Sequence, residues 1–246
     1  MPCRLQFYMD GWTMDFKSEL IEGHLIKRYK RFLADVALSD GSVVVAHCAN
    51  SGSMLGLKDE GARVYLSPNT NPKAKLDYRW ELIEADGALV GINTSHPNGI
   101  VEAAIKSGSI KELTGYPNLK REVKYGQNSR IDILLSSSDG TDLVYVEVKS
   151  VTLKVGEMAH FPDSVTARGT KHLLELSAMV KQGHRAVMVY LVQRNDCDAF
   201  GVAADIDPLY AKTLKQVLND GVEAVCYQCN VTTKGIYIKD PLSIQI

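Results

Sequence analysis

Two carboxylates and a lysine near the middle of the chain carry the sharpest chemical signal. In VYVEVKS side chains alternate faces, so Tyr145, Glu147 and Lys149 point one way and Val144, Val146 and Val148 the other. Asp132 lies in the preceding segment SRIDILLS, joined to this one through a turn at Asp139 and Gly140, so strand pairing can bring it beside Glu147. Asp132 and Glu147, with the backbone carbonyl of Val148 as a third oxygen, suit Mg²⁺ or Mn²⁺, hard ions that prefer oxygen ligands and keep waters for a substrate phosphate. Lys149 would orient a water or offset the charge that builds on a phosphodiester. It is a poor general base there, because neighbouring carboxylates favour the protonated ammonium. Glu102, upstream, is a candidate for an additional acid that supports a water or a second ion. The chemistry expected of such a set is metal-assisted hydrolysis of a phosphodiester.

Glu-x-Lys on an amphipathic strand is common, so the weight falls on the elements that must position it. Asn98 can cap a helix over GIVEAAIKSG, whose Ile100, Val101, Ala104 and Ile105 form one apolar stripe and whose stop is Gly108. Three strands follow, LKREVKYG, SRIDILLS and DLVYVEVKSV. Thr170 then opens a helix, KHLLELSAMVKQ, closed by Gly183. RAVMVYLVQ, apolar on both sides, suits a central parallel strand. Asp207 and Pro208 start a third helix, and VEAVCYQ supplies a further strand. The order helix, three strands, helix, strand, helix, strand predicts an α/β domain with a right-handed crossover. It resembles the αβββαβ core of restriction-endonuclease-like nucleases, the PD-(D/E)xK superfamily, although Arg130 and Ile131 precede Asp132 where the motif's name has Pro.

The first half reads differently. Short strands separated by turns at Asp40-Gly41 and Asp86-Gly87 predict a small closed β-barrel of the oligonucleotide-binding (OB) kind, with SPNTNPKAKLD as a long loop on its binding side. The fold class expected is therefore β followed by α/β: an extension and OB-like barrel over 1–94, then a restriction-endonuclease-like αβββαβ domain over 95–246.

A formal net charge of −1 gives no global pull on a polyanion, so nucleic acid must be held by local patches. The densest is Lys27, Arg28, Lys30 and Arg31, interleaved with Tyr29 and Phe32; it reads equally as a solvated strand end. In FPDSVTARGTKHL, Asp163, Arg168, Lys171 and His172 surround a helix start, where backbone N–H groups and basic side chains could grip phosphate. The turn Asn50, Ser51, Gly52 and Ser53 could touch a phosphate or merely reverse the chain, and His47 and Cys48 read as packing residues.

Five scattered cysteines (Cys3, Cys48, Cys197, Cys226 and Cys229) do not form a disulfide framework and fit a reducing compartment. Cys226 and Cys229 form a CxxC, but it lies in a strand-like run without a second ligand pair and reads as packing. The N-terminus lacks the pattern of a signal peptide and no segment is long and apolar enough to span a bilayer, so a cytoplasmic location is expected.

Phrases through the chain resemble the sugar fermentation stimulation protein A family: LIKRYKRFLADV, AHCANSGSML, NTSHPNGIVEAAI, SRIDILL, YVEVKSVTL, FPDSVTARGTKHL and DIDPLYAKTL. The resemblance runs from about Glu22 to the end. It implies an N-terminal OB-like domain, a C-terminal nuclease-like domain and DNA binding, and the family's name records an effect on sugar metabolism genes. Three functions follow as expectations. One is a Mg²⁺-dependent nuclease acting on DNA, with unpaired or branched forms favoured by the barrel. Another is a DNA-binding regulator of sugar metabolism genes that does not cut. The third is an oligosaccharide-binding module using Tyr29, Phe32, Tyr65, Tyr78 and Trp80. A single site could not cut both strands of a duplex in one encounter, which a homodimer would allow.

Overall fold

The computed structural model describes residues 14–126 and 129–246. Cys3 and most of the stretch weighed as a leader lie outside the described residues. The short β1 (Met14–Asp15) belongs to the larger sheet described below. Then come β2 (Ile21–Tyr29), β3 (Leu33–Leu38), β4 (Val43–Cys48), β5 (Arg63–Pro68), β6 (Tyr78–Ala85) and β7 (Ala88–Gly91). Their pairing runs β4-β3-β2-β5-β6-β7, and β4 closes the ring by pairing in parallel with β6, Ala46 beside Tyr78 and Cys48 beside Trp80. Inward-facing residues such as Leu25, Val36, Leu66, Trp80 and Ile83 fill the interior of this OB-like barrel. Gly23 is required where β2 crosses β3, since a Cβ there would lie 2.6 Å from Val36 Cγ1 and 2.8 Å from the Ala37 carbonyl.

After the barrel the chain forms α1 (Pro97–Ser107), β8 (Asn118–Tyr125), β9 (Ser129–Ser136), β10 (Leu143–Val151), β11 (Leu153–Val155), β12 (Met158–Phe161) and α2 (Ala167–Lys181). It continues with β13 (Arg185–Val192), β14 (Ala199–Val202), α3 (Pro208–Asn219), β15 (Glu223–Val231), β16 (Gly235–Pro241) and β17 (Ser243–Gln245). A seven-stranded sheet has the order β1-β16-β15-β13-β10-β9-β8. β10, β13 and β15 lie parallel, as crossovers through α2 and α3 demand. One face packs on α1, with Val144, Val146, Val189 and Leu191 against Ile100, Val101 and Ala104. The other packs on α2 and α3, with Met188, Tyr190 and Val192 against Leu173, Leu176 and Leu214. β13, buried on both faces, is the central strand that its sequence predicts.

Two helix starts differ from expectation. Pro97 occupies the first turn of α1 after His96, so Asn98 lies inside the helix and its side chain is free for another task. Thr166, not Thr170, caps α2 by accepting from the Gly169 amide, which places Arg168 and His172 on its first turns. The sequence also concealed a second sheet, β11-β12-β14-β17, built from strands of three or four residues.

The barrel is tied to the larger domain at several points. Arg194, 2% exposed, donates to Asp86 Oδ2 at 2.9 Å across from its partner Asp196, and the Gly91 amide donates to the Gln193 carbonyl at 2.9 Å. Asp163 makes a third tie: its Oδ2 accepts the Met54 amide at 2.9 Å, and its carbonyl accepts Ser53 Oγ at 2.6 Å.

Candidate metal centre and nucleic-acid interface

β9 and β10 pair from Ser136 and Leu143 as far as Ile133 and Val146, and then part. Asp132 is the next residue of β9, and its carboxylate takes the place of a strand partner: Oδ2 accepts the Val148 amide at 2.8 Å. On an extended strand the N–H and C=O of one residue point to the same side, so the Val148 carbonyl faces the opening that Asp132 enters. Opposite Asp132, Glu122 of β8 sits at φ 55°, which marks the local break in the sheet. Asp132 Oδ1 accepts from Asn98 Nδ2 at 2.8 Å, so the task left to Asn98 is to hold this carboxylate.

Glu147, only 2% exposed, lies on the α2 side of β10. Its Oε1 accepts Lys149 Nζ at 2.7 Å and also meets His172 Nδ1. Arg168 Nε donates to His172 Nε2 at 3.3 Å; a guanidinium has no acceptor, so Nε2 accepts and Nδ1 is the nitrogen that donates to Glu147. Lys149 Nζ is 3.3 Å from the same Nδ1, a contact between two donors and so not a bond. The other oxygen, Glu147 Oε2, is buried without a partner.

Burial, and after it the Glu147 charge, pushes the Asp132 carboxyl above its ordinary range, against the pull of the Val148 amide and Asn98. Burial also raises the Glu147 carboxyl, but the Lys149 charge and the His172 bond outweigh it and hold that group below its ordinary range. Among the described residues no group of three or more His, Cys, Asp or Glu side chains stands close enough to hold an ion alone. The groups that could share an ion here are few: two carboxylates and the Val148 carbonyl. A Mg²⁺-sized ion suits such a set because it retains waters, and a cation there would give Oε2 a partner and relieve the charge that strains Asp132.

The remaining predicted residues divide. Glu102 pairs with Lys106 at 2.6 Å and Arg121 at 3.6 Å, and the contact from α1 to the carboxylates comes instead from Asn98, one turn away. His172 is buried against Glu147 rather than open to phosphate, and Arg168 braces it. Lys171 lies 3.7 Å from Glu175. Arg28 bonds the carbonyls of Arg31, Asn50 and Gly52 at 2.8, 2.8 and 3.0 Å, so it staples two turns together. Lys27 pairs with Asp35 at 3.6 Å over the Tyr29 ring, whose hydroxyl bonds the same carboxylate. Lys30 and Arg31 form the exposed turn between β2 and β3, both at positive φ. Phe32, 44% exposed, stacks beside His47 with centroids 6.5 Å apart. Trp80 and Tyr65 are buried in the interior, which removes two of the five aromatics weighed for sugar stacking. Cys226 and Cys229 point to opposite faces of β15, into separate cores, so they cannot share a ligand.

Asn98 and Asp163 stand out in the sequence for other roles, as a helix cap and as part of a basic helix start; their contacts to Asp132 and to Ser53 and Met54 join residues distant in the chain. The sequence also hid that the Asn50–Ser53 turn abuts the second domain.

Residues 95–235, more than half of the chain, match the model of the sugar fermentation stimulation protein RE domain. The chain belongs to the sugar fermentation stimulation protein family. Residues 26–92 match the SfsA N-terminal OB domain, in accord with the barrel. A sugar fermentation stimulation protein homolog of Paramagnetospirillum magneticum is 56% identical over 233 residues, 95% of this chain and 98% of the relative. The homolog of Rhodospirillum centenum is 56% identical over 232 residues, 94% of this chain and 99% of the relative. A solved structure of Pyrococcus furiosus SfsA in complex with Ca²⁺ has a TM-score of 0.87 at 27% identity, covering 96% of this chain and all of that one. The SfsA fold, an OB barrel joined to a nuclease-like domain, is thus the fold described above. No helix among the described residues is long and apolar enough to cross a membrane.

Proposed function

We propose that this SfsA-family chain binds DNA and, with Mg²⁺ or Mn²⁺ held by Asp132, Glu147 and the Val148 carbonyl, hydrolyses its phosphodiesters. The observation that carries the reading is the buried, unpartnered Glu147 Oε2 beside a second carboxylate that feels its charge. The Pyrococcus furiosus relative was solved with Ca²⁺, an ion of the same oxygen preference. When bound, such an ion supplies Lewis acidity to the phosphodiester and acidity to water.

The chain's own groups do the rest. Lys149, 13% exposed at its side chain, reaches the cleft and would offset charge on the reacting phosphate. His172 fixes the rotamer of Glu147, and Asn98 that of Asp132. Lys30 and Arg31 would contact phosphates from the barrel, and Phe32 with His47 offers faces on which bases stack. The test is incubation of purified protein with single-stranded, duplex and branched DNA and Mg²⁺ or Mn²⁺. Cleavage lost in Glu147→Ala supports the reading, and no cleavage of any form contradicts it.

A second reading, DNA binding without cutting and with an effect on sugar metabolism genes, is favoured by one observation. Lys149 is held on Glu147, and among the described residues no third acidic side chain completes the set. Salt-sensitive binding of every DNA form without turnover would support it.

A further inference from the structure

The cleft beside Lys149 is made by both halves of the molecule. Ser51, Gly52 and Thr94 come from the barrel side, and Lys149, His160 and Arg168 from the nuclease-like side, around a cavity of about 360 Å³. A second cavity of about 350 Å³ opens on the other side of Arg168, between Arg130, Lys171 and Glu122. At about 30 Å³ per water, each holds roughly a dozen waters. That is the scale of one nucleotide, not of a base pair with its two backbones. Glu147 is almost wholly buried and lines neither cavity, but it is held by a residue of each, Lys149 in the first and His172 in the second, so a phosphate nearing it would pass between the Ser51 turn and α2. The walls are fixed: Asp163 bonds Ser53 and Met54 on one side, and Arg194 locks the barrel through Asp86 on another.

The Ser51 wall is also continuous with the basic turn of the barrel. Arg28 holds the Arg31 carbonyl and the Asn50 and Gly52 carbonyls with one guanidinium. Lys30, Arg31 and the exposed Phe32 ring therefore sit on the same rigid unit as the lip of the cleft. A base stacked on Phe32 and His47 would place its backbone beside the basic turn that Arg28 ties to the lip of the cleft.

We infer that the substrate is an unpaired DNA strand threaded between the Asn50–Ser53 turn and α2, one nucleotide wide at Lys149, with Ser51 and Gly52 as specificity-determining residues that exclude duplex. The inference rests on the proposed function and names its substrate class. One site then suffices, because a single strand needs a single cut.

The experiment uses the full chain with a fluorescent oligo-dT strand and a blunt hairpin duplex. Binding is measured in Ca²⁺ and cleavage in Mg²⁺ or Mn²⁺. Wild type is expected to bind the unpaired strand about tenfold or more tighter than duplex, in keeping with stacking of one or two bases. Ser51→Trp, which fills the barrel lip at an exposed position, is expected to lose that preference. Leu209→Trp, the same bulk at an exposed site on α3, should not. Thermal unfolding confirms that both variants are folded. Equal binding of duplex and unpaired strand by wild type, or an unchanged preference in folded Ser51→Trp, overturns the inference. If duplex is cut as fast as the unpaired strand, the inference fails and the nuclease reading stands. If the preference is present and nothing is cut, the reverse holds.

Discussion

Asp132 Oδ2 accepts the Val148 amide at 2.8 Å at the point where β9 and β10 separate, so one carboxylate both ends the ladder and turns the Val148 backbone toward the proposed ion. Asp132→Ala leaves that amide and the Asn98 side chain without their acceptor. The expected loss is about 1–3 kcal/mol in urea unfolding, together with the loss of any rise in melting temperature that Mn²⁺ gives the wild type. Asp132→Asn keeps one acceptor oxygen and is expected to lose less stability while losing the same metal response.

Arg28 gathers four carbonyls from two turns, those of Arg31, Asn50, Gly52 and Ser53, so its removal acts on structure before charge. Arg28→Ala is expected to cost about 1.5–3 kcal/mol, the range for hydrogen bonds to a charged group, whereas exposed Lys30→Ala should stay within about 0.5 kcal/mol. Arg28→Lys should not restore the loss, because a single ammonium cannot span the same fork. Chemical denaturation of the three variants side by side checks the order.

Lys30 and Arg31 are the reverse case, with charge and little structure. If each neutralises a phosphate of an unpaired strand, replacing both with alanine lowers the slope of log affinity against log salt by about 1.4, at roughly 0.7 for each contact. Fluorescence anisotropy over a range of NaCl concentrations reads this directly, and an unchanged slope removes the basic turn from the interface.

Glu81 gives a pH dependence away from the proposed ion. Burial raises its carboxyl, but hydrogen bonds from His96, Ser67 and Asn93 outweigh that and hold it below its ordinary value of 4.5. A folded-state pKa below the unfolded one stabilises the fold at all pH above the unfolded value and is lost as pH falls through the folded one. Wild-type stability should therefore drop on acidification below about pH 4.5, where Glu81→Gln, less stable at pH 7, should show a shallower fall. Equal acid slopes for the two proteins would rule out this contribution.

The parts legible in the sequence were those set by local pattern. Alternation in VYVEVKS placed Glu147 and Lys149 together on one face, and the doubly apolar RAVMVYLVQ became the central strand β13. What could not be read depends on distant partners. Asn98 reads as a cap because Asn favours that role, yet Pro97 already supplies the helix start and the Asn98 amide turns to Asp132. His172 reads as a phosphate ligand because it follows basic residues, yet a cap at Thr166 rotates it inward onto Glu147. The strands of the second sheet are too short to show a period.

The central claim is that Asp132 and Glu147 hold a divalent ion that DNA hydrolysis requires. Titration of Mn²⁺ into wild type and Asp132→Asn, read in parallel by binding and by cutting of an unpaired DNA strand, tests it most directly. The account predicts that wild-type cleavage saturates with the ion, while folded Asp132→Asn still binds the strand and does not cut. Cleavage at the wild-type rate by Asp132→Asn, or wild-type cleavage that persists in a chelator, would contradict it.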